Sequence, residues 1–443
     1  MPTTRDLAGL CAETGTTFIL ALFVDLNGKP CAKLVPVEAV EELATDGVGF
    51  AGYAVGAIGQ EPKAPDLMAI PDISSFMPIP FVRKGLAIIH CDPHVEGKPW
   101  PFAPRVILRE VIAKAAAAGF VPFAGAEVEY FLLKRDPNGA LVPADDLDSA
   151  AQPCYDARGV TRMFDHLTSI SAAMNSLGWG NYANDHEDGN GQFEQNFQYS
   201  DALTTADRVI TLRYLLNVLA QARGMIATFM PKPFANRTGS GLHLHLSLRD
   251  IATDTSVFPA SSEGGEDSVG LGLSKTAYSF VAGILEHATA LQAVIAPTVN
   301  SYKRTGAVAS SASGATWAPK LPTYGGNDRT HYVRIPDNQR IELRGGDGSA
   351  NPYLAIAAAV DAGLDGIATG LALGEVGTGP NTPFPLTLLH AVEAFEGDEV
   401  VKGALDVVGV GVADYFAKLK KDEFFAYHAA VSEWEHDRYL TAF

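Results

Sequence analysis

Cysteine is scarce in this chain: Cys11, Cys31, Cys91 and Cys154 are the only four in 443 residues, widely spaced and without a CxxC pair. That pattern excludes a zinc ribbon and a disulfide framework and leads us to expect a reducing, cytoplasmic setting. Basic charge is short as well, since 33 Lys and Arg against 51 Asp and Glu leave a formal net charge of −18. A surface of that sign repels polyanions, so nucleic acid is not expected as a partner and any phosphate needs a locally reversed field. Long apolar runs are missing too. The run Phe18–Val24 lacks a basic leader and ends at Asp25, and the small-residue stretch 353–373 is interrupted by Asp361, Asp365 and glycines. The first reads as a buried strand and the second as a packed helix, so neither a targeting segment nor a membrane partner is expected. A GxxxxGK[ST] segment is also absent, because 270–275 (GLGLSK) lacks the spacing; any nucleotide would be held without a Walker loop.

What is present is an ordinary globular composition, 47% hydrophobic and 19% charged, long enough for about two or three domains or one large domain with an appended module. Residues 17–36 place two β-rich runs around Asn27-Gly28, a hairpin signal. Helical composition follows at 37–46, and the Gly- and Pro-rich stretch 47–71 reads as a long loop. Pro101 and Pro104 stop regular structure, which sets an expected boundary between an N-terminal module, 1–103, and a larger domain, 104–443. Beyond it, strands are expected at 122–134, 191–199, 241–249 and 332–344, and helices at 106–118, 161–177, 204–223, 272–295, 352–373 and 415–434. The order is mixed, so the fold class is α+β with a largely antiparallel sheet.

Four motifs carry chemistry. Glu127 and Glu129 share one face of an otherwise apolar strand, either as solvent-facing residues or as ligands of a hard divalent cation such as Mg²⁺ or Mn²⁺. Glu187 and Glu194 flank a glycine-rich turn that brings them together, as a solvated loop or as further ligands; His186 beside them reads equally well as a surface histidine. His243, His245 and Ser247 share one strand face after the turn at Gly239, open to a structural or a ligand-holding role. Arg340, Glu342 and Arg344 share another, with Arg304, Arg329 and Arg334 upstream. These are either a ladder of salt bridges or a clamp for phosphate and carboxylate, which the planar guanidinium matches with two hydrogen bonds.

In their order along the chain, EVEY (127–130), GQFE (191–194), FMPKP (229–233), the 239–247 turn and strand, NSYKR (300–304), RIELR (340–344) and NPYL (351–354) resemble the glutamine synthetase family. The resemblance implies an N-terminal β-grasp module, a large catalytic domain with a curved, mainly antiparallel sheet flanked by helices, and a homo-oligomer, a dodecamer of two stacked hexameric rings with sites between subunits. It implies ATP as cosubstrate with two or three Mg²⁺ or Mn²⁺ ions: Glu129, Glu187 and Glu194 on one, and Glu127, His243 and Glu342 on another. Arg304 and Arg344, with Gly239, would bind L-glutamate; Arg329, Arg334, Arg340, Ser247 and His245 would surround the nucleotide phosphates, and Tyr199 the base. Arg304, Arg329 and Arg344 would act on the reacting groups, through a γ-glutamyl phosphate that an amine displaces. Where ammonia-using members carry an acid, this chain has Ala51, in FAGYA (50–54), and Trp317, before Ala318-Pro319. PCYD (153–156), DHED (185–188), SGATWAP (313–319) and EWEHDRY (433–439) are similar to the glutamate–methylamine ligases of the family. That branch implies methylamine as the amine, in a pocket of Tyr155, Ala51 and Trp317, favoured by apolar burial and cation–π contact. Thr238 departs from the asparagine common before this turn, and 379–386 (GPNTPFPL) lacks the tyrosine loop that is adenylylated in some members, so no such regulation is expected.

Overall fold

The computed structural model describes residues 6–260, 267, 269–305, 318–380 and 382–443. Two sheets organise them. The first begins with the expected hairpin, Phe18–Val24 against Pro30–Pro36, and the Asp25 carboxylate closes its turn by accepting from the Asn27 and Lys29 backbone N–H groups. Leu86–Val95 adds in parallel to Phe18–Val24, and Leu67–Pro71 and Val48–Phe50 extend the sheet. The stretch 47–71 is therefore not one long loop. Its ends pair as strands because Leu67 and Ala69 are fully buried in the module's core, a tertiary preference that the local pattern does not carry.

The second sheet is built on Phe120–Arg135, a sixteen-residue strand. On one side it pairs antiparallel with Gln192–Asn196, which pairs with Ala183–His186; on the other it pairs with Leu242–Asp250, followed by Arg340–Leu343 and Val333–Asp337. Among the described residues of this sheet only the outermost pair, Tyr324–Gly325 with Val333–Asp337, is parallel. The fold is α+β, as expected. The run 332–344 is a hairpin rather than a single strand, turning at Asn338 and Gln339, so Arg334 comes to lie opposite Glu342.

Helices cover the sheet's apolar side, with Pro352–Thr369 almost wholly buried. The expected helix 272–295 is two, Lys275–Glu286 and Ala288–Ile295, bent by 74°. At the break His287 bonds Asp398 at 2.7 Å and Asp365 at 3.3 Å, tying the bend to two neighbouring helices. The C-terminal run likewise divides into Val412–Ala429 and Glu433–Tyr439, the second started by a capping box of Ser432 and Glu435. Among the described residues no single helix is long and apolar enough to cross a membrane.

The two sheets are joined by a buried cation. Arg105, on the helix Pro104–Ala117, is 2% exposed and pairs with Asp72 and Asp92 of the first module at 2.7 Å each and with Asp207 of the second at 2.9 Å. Tyr353 donates to the same Asp207 at 2.6 Å.

Candidate active site

Side chains two apart on a strand share a face, and antiparallel register decides which faces meet. Here Glu129 stands opposite Glu194, which stands opposite Asp185; Glu127 stands opposite His243, and His245 opposite Glu342. The register thus gathers the expected ligands from separate stretches of chain onto one patch of sheet.

Glu127 is its centre. His243 Nδ1 lies 3.0 Å from one of its carboxylate oxygens and His245 Nε2 2.9 Å from the other. Burial alone would raise this carboxyl, but the two histidines outweigh it and hold it well below the ordinary range. Glu129 accepts from the Gly241 backbone N–H at 2.7 Å and from Gln192 at 3.0 Å. A Cβ at Gly241 would come within 2.9 Å of Glu129 Oε1 and His243 Nε2, which is why the turn before the histidines is glycine. Glu342 is fully buried, with one oxygen accepting from Arg334 and the other from Arg344. The salt-bridge ladder is therefore real, and it coexists with a ligand geometry: Glu127, His245 and Glu342 each offer an atom within 4.8 Å of the others.

Glu187 and Glu194 behave oppositely to Glu127. Burial and then neighbouring carboxylates, Glu129 and Asp188 for Glu187 and Glu127 and Glu187 for Glu194, push both well above the usual carboxylate range. Carboxylates that raise one another in this way are the donor set that a hard divalent ion satisfies. The residues present thus fit such ions.

Two cavities meet on this patch, and Glu127 and Tyr182 line both. One, of about 480 Å³, is walled by Phe123, Tyr199, His245, Ser247, Arg249 and Arg340, with the Arg249 guanidinium 4.5 Å from the Phe123 ring centroid. The other, of about 450 Å³, is lined by Glu129, Glu187, Glu194, Gly239, His243, Arg304, Arg329, Arg344 and Tyr155. In this second cavity Arg304 Nη1 and Arg344 Nε are buried without a hydrogen-bond partner among the described residues. Two desolvated guanidiniums with free donors are a demand for a carboxylate or phosphate.

Tyr155 holds an uncommon left-handed conformation, φ 59°, with its N–H donating to the His186 carbonyl at 2.9 Å. His186 is fully buried and satisfied by Asp148 at 2.8 Å and the Glu187 carbonyl at 2.8 Å, so it is structural and not a surface residue. Two expected residues stand apart. Arg334 lines neither cavity, being turned onto Glu342 and Asn327. Ala51 lies in the first module and lines neither; Trp317 lies outside the described residues. Asp185 and Cys154, which line the second cavity, were not among the expected site residues. The Asp185–Glu187 spacing, the same as Glu127–Glu129, is the signal that marks the first.

Residues 101–439 match the family model described as glutamine synthetase, catalytic domain. The chain is 40% identical over 449 residues to a glutamine synthetase of Rhizobium leguminosarum bv. phaseoli, spanning 99% of each. It is 41% identical over 445 residues to a glutamate–methylamine ligase of Methyloversatilis universalis, covering 97% of this chain and 98% of that one. A solved structure described as a GmaS/ADP complex superposes with a TM-score of 0.91 at 44% identity, covering 98% of this chain and 99% of that one.

Proposed function

The chain belongs to the glutamine synthetase family and is an ATP-dependent glutamate–amine ligase, and from that premise we propose that its amine is methylamine and its product γ-glutamylmethylamide. The observation that carries this reading is the pair Ala51 and Trp317, apolar where ammonia-using members carry acids, in a chain that keeps every expected carboxylate and histidine of the metal patch. Similarity to a glutamate–methylamine ligase supports it. The comparable identity to rhizobial glutamine synthetases favours a second reading, ammonium as the amine.

In this proposal Arg304 and Arg344 hold glutamate by its carboxylates beside Gly239, which aims the γ-carboxylate at the terminal phosphate of ATP. The nucleotide occupies the cavity of Tyr199, Ser247, His245 and Arg340. Glu129, Glu187 and Glu194, and Glu127, His243 and Glu342, would hold divalent ions, which would neutralise phosphate charge when bound. Arg329 neutralises the phosphoryl group in flight. A γ-carboxylate oxygen attacks the phosphorus and ADP leaves; the amine nitrogen then attacks the acyl carbon, and phosphate departs with that oxygen.

The attacking nitrogen must be neutral, whereas an alkylammonium has a pKa of roughly 10. With the two family acids replaced, Asp185, which lines the same cavity as Tyr155 and Arg329, is our choice for the carboxylate that takes the proton. Ala51 would reach the pocket from a neighbouring copy in a ring assembly, a dodecamer of two stacked hexamers. Restoring both acids, Ala51→Asp with Trp317→Glu, tests the amine assignment: the methylamine-to-ammonium ratio of kcat/KM is expected to fall, and an unchanged ratio would overturn the pocket.

A further inference from the structure

The His186 ring is fully buried at the end of the strand Ala183–His186, and both of its nitrogens face acceptors. Nε2 lies 2.8 Å from Asp148 Oδ2 and Nδ1 2.8 Å from the Glu187 carbonyl, so each nitrogen donates. Asp148 is itself held. One of its oxygens accepts from the Asn190 side chain at 3.0 Å, and the oxygen that meets His186 also accepts from the Gly191 backbone N–H. The carbon atoms of the ring are packed as well. Phe193 meets it edge-on with ring centroids 4.8 Å apart. A Cβ at Gly159 would come within 2.5 Å of His186 Cδ2, so the helix Ala157–Arg162 rests directly on the imidazole.

Packing alone would be served by a leucine, and burying an ion pair is costly. What a histidine bonded to an aspartate adds is direction, and the directions fixed here lead to the second cavity. The next residue along the chain is Glu187, whose carbonyl is the Nδ1 acceptor and whose side chain lines that cavity. The His186 carbonyl in turn accepts from the Tyr155 N–H at 2.9 Å. Tyr155 lines the same cavity in its left-handed conformation, φ 59°, which a bulky residue keeps only where its surroundings impose it. Those surroundings include this bond and the helix Ala157–Arg162, which starts two residues later from the cap Asp156. One imidazole therefore sets the spacing between a carboxylate that would hold a divalent ion and an aromatic side chain that would face the amine.

We propose that Asp148 and His186 are positioning residues for the ligase reaction, which fix Tyr155 and Glu187 relative to one another and so set the affinity for the amine and for the divalent ion. Neither residue touches substrate. Glutamate and nucleotide affinity are left to the arginines and to the other cavity. The inference rests on the reading of Tyr155 as a wall of the amine pocket and of Glu187 as an ion ligand, and it holds whether the amine is methylamine or ammonium.

The test is steady-state phosphate release by the full-length assembled enzyme, with the amine, glutamate, ATP and Mg²⁺ each varied in turn. His186→Leu keeps apolar packing and removes both donors. The KM for the amine and the half-saturating Mg²⁺ are each expected to rise by about tenfold or more, the equivalent of one lost charge-assisted hydrogen bond, with the KM values for glutamate and ATP unchanged. His186→Gln retains a donor that can reach Asp148 and is expected to recover most of the loss. In Asp148→Asn, either orientation of the amide sets an N–H against a donor, since His186, Asn190 and Gly191 all donate to this carboxylate. It is expected to shift the same two constants. The Gln and Asn variants carry the test if His186→Leu fails to fold, which size-exclusion chromatography and circular dichroism would show. A lowered melting temperature with the amine KM and the Mg²⁺ dependence unchanged would overturn the proposal, and so would an equal loss for all four ligands. Tyr155→Leu and Glu187→Gln tell the two kinds of failure apart. If they raise the amine KM and the half-saturating Mg²⁺ and the variants of the pair do not, the role of the pair is wrong; if they do not, the readings of Tyr155 and Glu187 are wrong.

Discussion

Replacing Glu127 by glutamine is the most informative single change, because this carboxylate borders both cavities of the candidate site and receives both histidines. The amide keeps one acceptor oxygen and turns the other position into a donor, so one of the two histidine contacts, at 3.0 or 2.9 Å, is lost. A hydrogen bond to a charged group contributes about 1.5–3 kcal/mol, which corresponds to roughly 10- to 150-fold in an equilibrium constant. The negative charge offered to a divalent ion goes as well, so that range is a lower bound. The assay is ATP-dependent phosphate release against Mg²⁺ concentration at saturating glutamate and amine, with far-ultraviolet circular dichroism to confirm the fold. The half-saturating Mg²⁺ is expected to rise by at least about tenfold. An unchanged Mg²⁺ dependence with intact folding would refute the placement of Glu127 in the ion-holding patch.

Three further outcomes follow from the same geometry. Glu187 and Glu194 are raised by burial and by their neighbours, so in metal-free protein their contribution to stability is complete below the unfolded carboxylate pKa and is lost as pH rises through the folded values. Mg²⁺ is therefore expected to raise the melting temperature more at pH 8 than at pH 6 and to release protons on binding; a pH-independent increment would contradict this. Arg304→Met is expected to raise the glutamate KM by at least about tenfold, losing charge-assisted contacts, with nucleotide affinity little changed; equal losses for both ligands would argue for a general collapse. Arg105→Met leaves the buried Asp207 without its arginine, while Asp72 and Asp92 keep Arg109, at a cost of about 3–5 kcal/mol. It is expected to produce early hydrogen exchange in the first sheet, and exchange like that of wild type would refute the clamp.

Much of the site was legible because strand chemistry has a period of two: Glu127 with Glu129, and His243 with His245, could be read as shared faces before any pairing was known. Which strand lies beside which could not be read. The register that sets Glu129 against Glu194 and His245 against Glu342 joins residues up to roughly a hundred positions apart, and nothing local encodes it. The Arg334–Arg344 run illustrates the failure. Its turn, Asn338-Gln339, lacks the glycine of a strong hairpin signal, so one long strand was expected where the fold is a hairpin that turns Arg334 onto Glu342. His287 likewise sits inside an apolar helical pattern, and only its two aspartate partners on distant helices explain the bend. His186 shows the reverse: its fully buried place against Asp148 depends on a loop thirty-eight positions earlier in the chain.

The amine decides which product this ligase makes. The most direct measurement is an internal competition, with equal concentrations of methylamine and ammonium in one reaction with limiting glutamate, ATP and Mg²⁺, and the ratio of products read by mass spectrometry at low conversion. That ratio equals the ratio of the two kcat/KM values. An excess of γ-glutamylmethylamide is the result predicted from Ala51 and Trp317; an excess of glutamine would contradict the proposal and make this chain an ammonium-using ligase.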